Sequence, residues 1–136
     1  MIHLLDSDTC IRYLSRRSLA IKTRLDAADH RLVKLCSVVK AELLWGAYKS
    51  QNRVDTTQRL ADFFSEFESL AFDDSAAEAY GRIRGELEKR GTPIGANDLL
   101  IAAIAIANNA TLVTNNTREF SRVPGLHWES WEPAIM

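Results

Sequence analysis

Four acidic side chains sit where an acid is costly to place. Asp6 closes a short apolar run, Ile2-His3-Leu4-Leu5. Glu42 lies among Val38, Val39, Ala41, Leu43, Leu44 and Trp45. Asp98 opens the most apolar segment, Leu99 to Ala107, and Glu119 follows shortly after Thr111-Leu112-Val113-Thr114. Acids seldom border a core unless they are paired or bound to a cation. Two carboxylates about 4 Å apart repel by roughly 4 kcal/mol at an effective dielectric of about 20, so several together need protons, arginines or a metal. Oxygen-only donors suit Mg²⁺, with Mn²⁺ as a possible substitute. Such an ion activates water and stabilises the charge that develops on a phosphodiester during hydrolysis. His3, His30 and His127 are scattered and offer no zinc cluster. The expected chemistry is metal-dependent phosphodiester hydrolysis, with Asp6, Glu42, Asp98 and Glu119 as metal ligands and catalytic residues.

These acids need elements to carry them, and the chain reads as alternating strands and helices. Residues 2–5 form a short strand. Ser7 and Asp8 cap a helix over roughly 9–16, and Ile21 to Ala28 forms another. Leu32 to Cys36 is a strand interrupted by Lys34, and Ser37 caps a helix through about Tyr48. Val54 to Glu68 is helical, with Leu60, Phe63, Phe64 and Phe67 at helical spacing. Leu70-Ala71-Phe72 is a strand. A helix capped by Asp73-Asp74-Ser75 ends at Gly91 in an αL cap. Residues 91–95 are a loop, Ala96 or Asn97 starts the apolar helix, and Asn108-Asn109 ends it. Thr111–Thr114 and His127–Glu129 complete the strands. Strands separated by helices imply an α/β domain over 1–136, with a mainly parallel sheet covered on both faces. Ligands of such sheets bind beyond the carboxyl ends of the strands, where the strand order reverses. Asp6 and the residues after Thr114 both leave strands at that edge, so the four acids can converge.

Composition narrows the class. The 136 residues suffice for one domain with a core, and 46% hydrophobic with 26% charged residues is ordinary for a globular protein. No segment reaches the length of a membrane span, and no signal peptide is visible. Cys10 and Cys36 read as reduced packing residues, which fits a cytoplasmic protein. A formal charge of −1 gives no basis for binding nucleic acid by bulk charge.

Several residues have both a functional and an ordinary reading. Ser7 and Thr114 either orient carboxylates or serve as a cap and a strand end. Asp8 is a cap or an acid that supports the ligands, in preference to a direct ligand. Arg12, Arg16 and Arg17 near the first acid, and Arg118 and Arg122 around the fourth, are RNA-phosphate candidates or a solvated basic face. Trp45 lines a groove or stacks a base, with core packing favoured. Trp128 and Trp131 read as packing residues.

The segments Leu4-Leu5-Asp6-Ser7-Asp8, Ser37-Val38-Val39-Lys40-Ala41-Glu42-Leu43, Gly95-Ala96-Asn97-Asp98-Leu99-Leu100-Ile101-Ala102-Ala103 and Thr114-Asn115-Asn116-Thr117-Arg118-Glu119-Phe120 resemble, in order and spacing, the motifs of PIN-domain ribonucleases. The likeness is greatest to VapC toxins of type II toxin–antitoxin systems. It implies a three-layer α/β/α sandwich, a homodimer, Mg²⁺-dependent RNA cleavage and inhibition by a VapB-type antitoxin. Operator DNA would be reached only through that antitoxin. The third motif, preceded by Pro93-Ile94-Gly95, is similar to the branch that cuts initiator tRNA in the anticodon loop. Many PIN domains place an Asp shortly after the Thr that closes the fourth strand. Asn115 and Asn116 stand there in this chain, and Glu119 is the replacement, with Asn116 beside it in support.

Other classes fit less well. Asp73-Asp74 after Leu70-Ala71-Phe72 superficially resembles a phospho-acceptor, but a receiver domain would want paired acids after the first strand and a late Lys. An inactive RNA- or protein-binding module has no need of four acids. A metal-dependent DNA nuclease remains the chemical alternative, separable by an RNA-versus-DNA cleavage assay.

Overall fold

A computed structural model describes residues 1–133, so the last three residues of the expected 1–136 domain lie outside the described residues. The elements are β1 (His3–Leu5), α1 (Ser7–Leu14), α2 (Leu19–Ala27), a 3₁₀ turn (His30–Leu32), β2 (Val33–Cys36), α3 (Ser37–Tyr48), α4 (Arg53–Phe64), β3 (Glu68–Leu70), α5 (Asp74–Arg90), α6 (Ala96–Ala107), β4 (Thr111–Val113), α7 (Thr117–Phe120) and β5 (His127–Glu129). The five strands form one sheet in the order β3-β2-β1-β4-β5, and every pair is parallel. Parallel neighbours need crossover connections, which the helices supply.

The inner strands are buried on both faces of the pleat: Leu4 and Leu5 in β1, all of β2, and all of β4. That burial requires cover on both sides and gives the three-layer α/β/α arrangement. Its most apolar helix is α6, where Leu99 and Ile101 to Ala105 are buried. It packs along α5, whose Ala76, Ala79, Ile83 and Leu87 face inward. Helix α5 ends at Gly91 with φ 70°, the left-handed cap expected there.

Several boundaries differ from the expected ones. Helix α1 starts at Ser7, because Asp6 itself is the cap: its carboxylate accepts the N–H of Thr9. Ser7 and Asp8 therefore do not cap. Helix α2 starts two residues early because Ser18 accepts the N–H of Ile21. Strand β3 is Glu68–Leu70, and Ala71 and Phe72 are exposed beyond it. The register explains the shift: Lys34 lies opposite Glu68, and its Nζ meets that carboxylate at 3.1 Å. Lys34 thus continues β2 instead of interrupting it, since an edge strand delivers the matching charge. Phe63 and Phe67 pack edge to face across the end of α4. Residues 117–120 form a helical turn, pinned by the fully buried Phe120.

Leu112 sits at 0% exposure in β4, between β1 and β5. Leu112→Ala should cost about 2–5 kcal/mol in urea unfolding, through lost contacts and a residual cavity. Leu19→Ala, at a position 79% exposed, should change stability by less than about 0.5 kcal/mol. Equal effects at the two positions would contradict this account of the core.

Candidate active site

The strand order reverses between β1 and β4, so the crevice for a ligand opens where those two strands end. Asp6 is the first residue past β1. Its N–H donates to the Val113 carbonyl at 3.1 Å, and its Oδ1 accepts the Thr9 N–H at 2.9 Å. The Thr9 hydroxyl donates to the Val113 carbonyl at 3.2 Å, and it and the Thr114 hydroxyl lie close enough to the carboxylate to favour its charged form. Burial nevertheless outweighs these donors and raises the Asp6 pKa, with the nearby charge of Asp8 adding to the effect.

Glu42 belongs to α3, whose Val39, Leu43 and Ala47 face the core. The Ser7 hydroxyl donates to Glu42 Oε1 at 2.7 Å, tying the start of α1 to α3. Ser7 therefore has the orienting role rather than the capping one. Asp98 lies in the first turn of α6, and Glu119 lies in α7. Their carboxyl groups share a hydrogen bond, and the Asn116 amide spans them, donating to Asp98 Oδ2 at 3.1 Å and Glu119 Oε2 at 3.0 Å. Burial, that bond and the charges of Glu119, Glu42 and Asp6 push Asp98 up to about 7. Glu119 is lowered, because Asp98 and Asn116 donate to it, joined by the Gly95 N–H and the field of Arg122. The opposite directions of the two shifts make the more deeply placed Asp98 the member of the pair that protonates first.

The four acids thus lie in one electrostatic neighbourhood. Among the described residues, none of them is in an ion pair with Lys, Arg or His. Nor do three Asp, Glu, His or Cys side chains among those residues close on a single point as a formed metal cage. Neutral donors and the raised pKa of Asp98 relieve the repulsion. The donor set is entirely oxygen and lacks a positive partner, which fits a hard divalent cation.

Other expected residues fall in varied places. Asp8 is held by Arg12 Nε at 2.9 Å and Asn115 Nδ2 at 3.3 Å, at the edge of the cluster. Arg12 is already paired twice, with Asp8 and with Glu132. Arg16, Arg17 and Arg118 are exposed. Trp45 is 68% exposed, which overturns the packing expectation. The outward face of α3 carries it, with Lys49 Nζ 3.6 Å from its ring centroid. Trp131 is buried as expected, whereas Trp128 is exposed. Asp73 caps α5 by accepting the Ala76 N–H and follows an edge strand, which removes the phospho-acceptor reading. Thr9 and the Gly95 amide were not foreseen. The position of Thr9 three residues after Asp6 was a legible capping signal, but nothing local marked Gly95.

A groove of about 570 Å³ runs from this cluster along α3. Ser7 and Glu42 lie on it near the acids, Ile11, Leu14, Leu43, Trp45 and Leu60 give it apolar walls, and Lys49 and Arg59 also line it.

Known proteins resemble this chain along almost its whole length. The PIN domain family model matches residues 3–126. Ribonuclease VapC2 of Rickettsia felis is 40% identical across 97% of this chain and 99% of its own. The tRNA(fMet)-specific endonuclease VapC of Salmonella typhimurium is 37% identical across 94% of this chain and 96% of its own. The crystal structure of VapBC2 from Rickettsia felis bound to a DNA fragment from its promoter superposes with a TM-score of 0.90 at 39% identity, over 97% of this chain and 100% of that chain. DNA-bound VapBC from Salmonella typhimurium gives 0.91 at 35% identity, over 96% and 98% of the two chains.

The Asp98 carboxyl has a folded pKa near 7 against an ordinary 3.8. Between those values the folded state binds more protons than the unfolded one, so stability should fall as pH rises through that window. The raised Asp6 acts in the same direction. The lowered Glu119 acts oppositely, but only below its ordinary 4.5. In protein stripped with EDTA, the urea midpoint should decrease from about pH 5 to about pH 7.5, and Asp98→Asn should flatten that slope. Parallel slopes for the two proteins would contradict the raised pKa of Asp98.

Proposed function

The chain belongs to the PIN-domain family, and on that premise we propose that it is a metal-dependent endoribonuclease toxin of the VapC type, cutting RNA by phosphodiester hydrolysis. The observation that carries this reading is the gathering of Asp6, Glu42, Asp98 and Glu119 at the sheet's switch point without an ion-paired cation. These four would hold the divalent ion, Mg²⁺ with Mn²⁺ as substitute. When bound, that ion offsets the carboxylate charge, activates a water and stabilises charge on the phosphate.

The remaining residues place those carboxylates. Thr9 and Thr114 fix Asp6, Ser7 fixes Glu42, and Asn116 spans Asp98 and Glu119. An acidic pocket in a chain of net charge −1 gives RNA no bulk attraction. Recognition then rests on folded shape and a few exposed loop bases. The similarity to a tRNA(fMet)-specific endonuclease supports tRNA, with the initiator anticodon loop as the leading site. The similarity to VapBC complexes supports a VapB-type antitoxin as partner. A homodimer, a cytoplasmic location and contact with operator DNA only through the antitoxin belong to the same proposal. An antitoxin segment would lie in the groove beside Trp45 and bring a basic residue to the acids.

Asp6→Asn and Asp98→Asn should each lower Mg²⁺-dependent RNA cleavage on the order of 100-fold while the protein still folds. Glu119→Gln should be milder, because Asn116 stands beside it. Cleavage assays run alongside thermal melts check this, and a folded variant with near wild-type activity would remove that acid from the site. Sequencing of RNA ends after brief expression should show one dominant cut in a tRNA anticodon stem-loop. Cuts spread over messenger RNA with tRNA intact would refute the substrate, and cleavage of DNA alone would refute the ribonuclease.

A further inference from the structure

The segment after β5 returns to the acid cluster through a closed circuit of hydrogen bonds. Arg12 Nη1 donates to Glu132 Oε2 at 2.8 Å, and Arg12 Nε donates to Asp8 Oδ2 at 2.9 Å. Asn115 Nδ2 donates to the same Asp8 oxygen at 3.3 Å. The Ser130 hydroxyl donates to Asn115 Oδ1 at 2.7 Å and accepts the Glu132 N–H at 3.2 Å. The other oxygen of Glu132 accepts from the hydroxyl of the buried Ser18, which caps α2. Buried Trp131 anchors the segment between these contacts.

This circuit touches the acids from both sides of the switch point without reaching them. On the α1 side it ends at Asp8, two residues from Asp6, where the Asp8 charge is felt. On the β4 side it ends at Asn115. The residues flanking Asn115 are Thr114, which holds Asp6, and Asn116, which spans Asp98 and Glu119. We infer that Glu132 is a positioning residue, setting the spacing between the start of α1 and the exit of β4, and hence between Asp6 and the Asp98–Glu119 pair. Arg12 is then a strut between two carboxylates and not a phosphate ligand. The inference rests on the ribonuclease reading of the acids.

A double-mutant cycle on Glu132 and Arg12 tests it, with steady-state tRNA cleavage and ¹H–¹⁵N spectra of ion-free protein as readouts. Glu132→Ala and Arg12→Ala should each lower kcat about tenfold, as losses of supporting contacts around a site typically do. KM should stay within about twofold, because no substrate contact is removed. The double variant should be no worse than the worse single one, because both break one circuit. Glu132→Gln keeps the acceptor and should recover most of kcat, and the Asn115 side-chain amide signals should move in Glu132→Ala. If Glu132→Ala does not fold, Ser130→Ala cuts the other arm and should give the same loss in kcat. Additive losses, or activity falling only with the folded fraction, would overturn the inference. So would a raised KM in Arg12→Ala with unchanged kcat, which would make Arg12 a phosphate ligand. If wild-type protein cleaves no RNA, the ribonuclease reading fails, and the Asn115 signals by themselves decide whether Glu132 sets the β4 exit.

Discussion

Four carboxylates held together at the end of a sheet repel one another, and the fold around them must resist that repulsion. Each close pair opposes folding by an energy on the order of a few kcal/mol, against a total stability of about 5–15 kcal/mol for a domain. Among the described residues, the acids meet this without an ion-paired arginine or lysine. Threonine, serine and asparagine donors take up lone pairs, and the raised pKa of Asp98 favours its neutral form beside Glu119. Ion-paired cations would fill the site permanently. Neutral donors hold the acids in place and leave their negative charge available to a cation.

The elements carrying these acids are anchored by deeply buried residues. Asp6 extends β1 by a backbone bond to β4, and Asp98 sits at the start of the helix with the deepest burial. Glu119 is placed by the single turn of α7, and that turn is fixed by Phe120 at 0% exposure. Buried apolar anchors therefore set the positions of groups that are themselves costly to bury, so errors in placement stay small.

Helix α3 divides its duties between faces. Val39, Leu43 and Ala47 join the core, Glu42 turns to the acid cluster, and Trp45 with Tyr48 is left to solvent. An exposed aromatic pair beside an apolar groove is unusual for a surface with no partner. The groove and the acids adjoin through Ser7 and Glu42, so one segment laid along α3 would cover both.

The order of elements, the strand–helix alternation and the convergence of Asp6, Glu42, Asp98 and Glu119 on one end of the sheet were all legible in the sequence. Each rests on local signals: apolar runs of strand or helix length, caps, and an acid placed against them. Even the edge of the sheet that carries the site followed from parallel connectivity. Lys34 was misread because its partner, Glu68, is 34 residues away, and register alone brings the two charges together. Trp45 was misread because composition marks an apolar residue as core, while only packing decides which face of α3 is covered. The Asn116 bridge between Asp98 and Glu119, the Gly95 amide beside them and the return of Glu132 to Arg12 were not legible at all. Such contacts join residues far apart in the chain, and their energies depend on distances and burial, which only the tertiary structure sets.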